Sequence, residues 1–116
     1  MGARGEGVLA LPDGGECRIL FTNRAIAEAE AALGRSVMAM LQEFEAGSAG
    51  ITDAAILLRS GMEAYRRDAR LGGRPVSVDD AYEVMDQVGF APTLKVAVES
   101  MAVVLSFGAE AEDPNR

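Results

Sequence analysis

The residues able to do acid–base, nucleophilic or metal chemistry in this chain are few, and their spacing keeps them apart. Among 116 residues there is no histidine and one cysteine, Cys17. That removes imidazole general-base catalysis, the Ser–His and Cys–His nucleophile pairs, the usual zinc ligand sets and any internal disulfide. Carboxylates are what remains. Glu28 and Glu30, Glu43 and Glu45, and Asp79 and Asp80 are sequence neighbours, so on a helix the members of each pair diverge. Asp79 and Glu83 can meet at i, i+4, but on a polar helix face that spacing describes a solvated surface. Pro12-Asp13-Gly14-Gly15 and Gly72-Gly73-Arg74-Pro75 lack the Lys-Ser/Thr and the following helix of a phosphate loop. Cys17 has no base beside it and falls on a strand face expected to be buried, which makes it core rather than nucleophile. The sequence therefore supplies no catalytic, cofactor-binding or metal-binding residue, implies no cofactor, and reads as a non-enzyme.

Charge narrows the partners. Eleven Lys and Arg stand against eighteen Asp and Glu, a net charge of −7. Nucleic-acid binding needs a basic surface to neutralise phosphates, so the balance argues against it. Arg66, Arg67, Arg70 and Arg74 form the one local basic cluster; the bland reading is compensation of a helix C-terminus, the sharper one a small DNA-binding regulator. The helix that would have to enter the groove, Val78 to Val88, is strongly acidic. No apolar run long enough to span a bilayer and no signal peptide is read, and Gly2 fails the myristoylation pattern because position 6 is Glu. The expectation is a cytoplasmic protein with no membrane partner, and a lone Cys fits a reducing compartment.

The elements that must position these residues are mostly helices. Val8–Leu11 and Cys17–Phe21 flank Pro12-Asp13-Gly14-Gly15 and predict a hairpin over 8–21, with Cys17, Ile19 and Phe21 on its buried face. A lone hairpin is marginal in water, so it must lie on something helical. Asn23 is expected to cap a helix from Arg24 to Leu33, stopped by Gly34. Ser36 caps Val37 to Ala46, and Thr52 caps Asp53 to about Asp68. Ser77 and Asp80 form a capping box for a helix ending at Val88, and Pro92 opens the last, which runs to about Phe107. The expected fold is α+β, mainly α: a hairpin packed on about five helices in a single domain, 1–108, followed by an acidic tail, 109–116.

The apolar stripes define candidate core and candidate surface. Ala54, Leu57, Leu58, Gly61, Met62 and Tyr65 share one face of the third helix, and Ile56, Arg59, Glu63, Arg66 and Arg67 fall mostly off it. Gly61 inside a helix suggests that another helix crosses closely there. Val78, Ala81, Tyr82, Met85 and Val88 repeat the stripe in the fourth. The last helix carries two: Leu94, Ala97, Val98, Met101 and Leu105, and a second formed by Val96, Val103, Val104 and Phe107. Either this helix is buried on most sides, or the second stripe leaves the monomer and meets another chain. Those four residues are the candidate partner-binding surface. Met38, Met40, Met62, Met85 and Met101 read first as core fillers, and second as an adaptable binding surface.

The segment from Glu6 to Leu33, with Phe21-Thr22-Asn23-Arg24-Ala25-Ile26 leading to Glu30-Ala31-Ala32-Leu33-Gly34, resembles the opening of a family of small tail assembly chaperones. These occur in siphophages, prophages and gene transfer agents, and share a hairpin followed by a helix ending in Glu-x-x-Leu-Gly. The resemblance extends over roughly Glu6 to Val88. The polar stretch from Arg66 to Arg74 departs from the family pattern. The resemblance implies a non-catalytic protein that binds the long helical tape measure protein, keeps it soluble, helps recruit tail tube protein, and is missing from the mature particle. It leaves open whether a frameshifted longer form is made and whether the chain forms a homo-oligomer. A structural tail or connector subunit is the alternative.

Overall fold

The computed structural model describes residues 4–106. Strands β1 (Gly5–Ala10) and β2 (Glu16–Phe21) pair antiparallel, and five helices follow: α1 (Asn23–Leu33), α2 (Val37–Glu45), α3 (Ile51–Asp68), α4 (Val78–Val88) and α5 (Phe90–Ser106). The fold is α+β and mainly helical, as the patterning predicts. Phe107 and the acidic segment 109–116 lie outside the described residues.

The hairpin is held by contact with α3 and α5 rather than by its own two-stranded ladder. Its register opposes Gly5 to Phe21, Gly7 to Ile19 and Leu9 to Cys17, so these six residues point to one face. Ile19, Phe21, Leu9 and Cys17 are buried there. Strand β1 begins at Gly5, earlier than the Val8 expected from hydropathy. Glycine is a poor strand former, but here its missing side chain is what α5 requires. A Cβ at Gly5 would collide with the backbone carbonyl of Ser100, and one at Gly7 with the Ser100 hydroxyl and Val96. Gly61 plays the same part in α3: a Cβ there would sit 3.0 Å from Ile19 Cβ and 3.0 Å from the Phe21 ring. The close neighbour of Gly61 is therefore the hairpin and not a crossing helix. The outer face of the hairpin is also partly covered, since Leu20 is buried while Arg18 and Val8 are exposed. In the turn the Asp13 carboxylate accepts from Gly15 N–H at 2.8 Å, and Gly14 takes φ 91°.

Helix ends follow local chemistry, with some shifts from expectation. Thr22, not Asn23, caps α1: its hydroxyl accepts from Ala25 N–H at 3.1 Å. Gly34 closes α1 in the left-handed region, φ 76°. Ser36 caps α2, which ends at Glu45 with Ala46 as its C-cap. Helix α3 starts at Ile51 behind Gly50 and has no side-chain cap, so Thr52 lies inside the helix. Ser77 and Asp80 form the expected reciprocal capping box of α4. In α4 the core residues are Ala81, Val84 and Met85, whereas Val78 is exposed. Gly89 (φ 100°) turns the chain by 116° between α4 and α5, and α5 begins at Phe90. Met40 and Met101 are fully buried and Met85 nearly so, as core fillers; Met38 is exposed.

The glycine contacts separate two otherwise similar substitutions. Gly5→Ala must push α5 off β1 and is expected to lower stability by about 1–3 kcal/mol, the cost of overpacking. Gly72→Ala faces open space and should stay within about 0.5 kcal/mol of the parent. Urea denaturation followed by circular dichroism measures both. Equal stability of the two variants would mean that β1 does not lie on α5 as described.

Candidate functional site

The carboxylates and arginines form structural ion pairs. Glu63 is the strongest case. Placed on the polar side of α3 by periodicity, it is in fact 2% exposed. It accepts from Arg66 Nε at 2.9 Å and Nη2 at 2.8 Å, from Arg67 Nε at 2.9 Å, and from the backbone N–H of Val76 at 2.9 Å. These bonds, those to Arg66 first, hold the carboxyl at about 2, well below its ordinary 4.5, against the opposing effect of burial. Together with Arg59, whose guanidinium donates to the Val76 carbonyl at 3.1 Å, Glu63 pins the loop before α4 onto α3. Arg74 pairs with Asp80 in a two-pronged contact at 2.7 and 2.8 Å. Of the basic cluster, Arg66, Arg67 and Arg74 are thus engaged by carboxylates, and Arg70 sits at the α3 terminus in the left-handed region, φ 58°. The sequence signal for Glu63 is its spacing to Arg66 and Arg67 at i+3 and i+4.

The Glu-x-x-Leu-Gly run has a local role as well. Glu30 reaches across the turn and accepts from the Val37 N–H at 2.8 Å, satisfying an otherwise orphan donor at the start of α2. Arg35 bridges Glu43 of α2 and Asp53 of α3. Glu28 meets Arg24 and Arg67. Asp79 and Glu83 are exposed, as a solvated surface would be. Among the described residues no group of three or more Cys, Asp or Glu side chains converges as a metal site, and no single helix is long and apolar enough to cross a membrane. Cys17 is buried, which pushes its thiol up to about 11 and keeps it protonated at neutral pH.

The proposed partner stripe is divided by the fold. Val104 is 7% exposed and belongs to the core, and Val96 is half-buried against Gly7. Val103 is 40% exposed, and Phe107 lies outside the described residues. Val104 therefore offers no spare surface: the core side of α5 is Thr93, Ala97, Ser100, Met101 and Val104. The other stripe is divided as well: Ala97 and Met101 are core, and the apolar surface that α5 leaves open is its Leu94, Val98 and Leu105 side. Leu94 and Val98, with Phe90, Ala91 and Ala102, form one wall of a groove of about 560 Å³; Leu41 and Phe44 of α2 form the other. Glu45, Lys95 and Glu99 edge it. Sequence periodicity alone could not separate the two stripes, because both have helical spacing and neither is interrupted by charge. No family model, curated protein or solved structure matches the chain.

Two measurements follow from the buried groups. Because the Glu63 carboxyl is depressed in the folded state, its stabilising effect is complete above pH 4.5 and is lost as pH falls toward 2. Glu63→Gln should cost about 3–5 kcal/mol at pH 7, by breaking a buried ion pair, and should flatten the pH dependence of urea midpoints between pH 5 and 2. A parent-like slope in the variant would remove Glu63 from this role. A neutral thiol reagent should label Cys17 slowly in the native protein and fast in denaturant; equal rates would show that the hairpin face is open.

Proposed function

We propose that this chain is a non-catalytic tail assembly chaperone, which holds the tape measure protein soluble and assists assembly of the tail tube. The observation that carries this reading is the open apolar groove between α2 and α5, on a protein most of whose arginines among the described residues are paired with its own carboxylates. A groove walled by two helices suits the apolar face of a third, which is how an amphipathic helix is kept from aggregating. Two further features agree with what the resemblance implies. The chain opens with a hairpin and then a helix ending in Glu30-Ala31-Ala32-Leu33-Gly34, and Glu30 and Gly34 both set the turn into α2. The net charge of −7 suits a protein that stays soluble while presenting apolar surface. In this reading the protein acts in the cytoplasm of the producing cell and leaves before the particle is complete.

Co-expression with the tape measure protein of the same system tests this. The parent should raise its soluble fraction several-fold. Leu94→Glu, folded by circular dichroism, should not. Mass spectrometry of purified particles should find the tail tube protein and none of this chain. Its stoichiometric presence in particles would replace the chaperone by a structural tail or connector subunit.

A further inference from the structure

The groove face of α5 is complementary to itself. Residues placed symmetrically about Val98 differ in size: Ala91 corresponds to Leu105, and Leu94 to Ala102. In a straight helix Ala91, Leu94, Ala102 and Leu105 lie within about 40° of Val98, whereas Ala97, Met101 and Val104 point into the core. If a second α5 is laid antiparallel on the first about a two-fold axis at Val98, each large side chain meets a small one at the same level. Leu105, 38% exposed, then covers the partner's Ala91. The charges obey the same symmetry. Lys95 and Glu99 lie on one rim, three positions before Val98 and one after it, so the two-fold brings Lys95 within about 3 Å along the axis of the partner's Glu99, twice. Within one chain these two are only loosely paired, at 3.9 Å and with both side chains mostly exposed.

We propose that a second copy of this chain covers the groove, its α5 packed antiparallel on α5 about Val98 and flanked by α2. An isologous contact of this kind closes on itself and gives a two-fold dimer. The segment after Ser106 is a poor occupant by its chemistry. It carries Phe107 as its one large apolar residue, and it would bring Glu110, Glu112 and Asp113 toward Glu45 and Glu99. The pairing stands on geometry alone. That it covers a partner-binding groove rests on the chaperone reading, and the test below uses no partner, so either idea can fail without the other.

Cysteine cross-linking of the full chain in a Cys17→Ala background decides it. Val98→Cys, close to isosteric and on the two-fold, should form a disulfide-linked dimer under mild oxidation at least tenfold faster than Val103→Cys, which is exposed but turned away from the groove face. Light scattering of the parent should show a mass rising toward twice that of the chain with concentration, and Leu94→Glu should remain at the chain mass. Cross-linking at position 98 no faster than at 103, or a parent that stays monomeric at millimolar concentration, would overturn the proposal.

Discussion

The fold depends on how closely a two-stranded hairpin can approach two helices. A hairpin alone loses its ordering entropy with little apolar burial to offset it. Here β1 presents glycines to α5 and β2 presents Ile19 and Phe21 to the glycine of α3. Flat surface meets bulk on both sides of the same face. The strands therefore lie directly on helix backbone, and α3 and α5 are fixed relative to each other because both touch one rigid sheet. That fixes which side of α5 is core and which is open. The groove is thus a consequence of the glycine pattern in the first strand.

Glu63 secures the other end of α3. The loop between α3 and α4 contains Gly72, Gly73 and Pro75 and has little apolar material of its own. A buried carboxylate with two guanidiniums and a backbone N–H costs desolvation, and its return is geometric: it specifies where Val76 sits, and so where the capping box starts α4. The arginine cluster that suggested a nucleic-acid surface is explained largely by this network.

The hairpin, the capping box of α4 and most of the stripes of α3 and α4 were legible because they rest on local rules, turn chemistry and helical period; Val78, expected inward, is exposed, and Val84, outside the expected stripe, is buried. What was not legible rests on contacts distant in sequence. Gly5 and Gly7 fall before the hairpin expected over 8–21, and their place in β1 shows only once Ser100 is seen against them. Glu63 read as a surface charge because periodicity assigns faces, and only a return of the chain at Val76 could bury it. The two stripes of α5 are equally apolar, and the fold takes core from both, Ala97 and Met101 from one and Val104 from the other, a division that needed the hairpin's position. Val104 was assigned outward and lies inward for this reason. The Asn23 and Thr52 caps failed on a smaller scale: the cap falls one position earlier, at Thr22, in the first case and two positions earlier, at Gly50, in the second.

Under the two proposals made above, one groove takes either a partner helix or a second copy of the chain, and that sets a constraint on affinities. The self-contact is one helix face long, and its ion pairs are exposed at the rim, where each is worth about 0–1 kcal/mol. The proposed dimer is therefore a weak one, which would shield apolar surface when the chain is concentrated and unoccupied. A partner helix competes for the same wall and needs to exceed only that modest self-affinity. In the proposed exchange, breaking one self-contact uncovers two groove faces, so apolar area stays buried only when each of the two copies takes a partner helix. The same logic accounts for the groove being lined by Leu, Val, Phe and Ala without buried polar groups. A site with fixed hydrogen-bond donors would favour one occupant, whereas an apolar wall with charged rims accepts either and lets concentration decide.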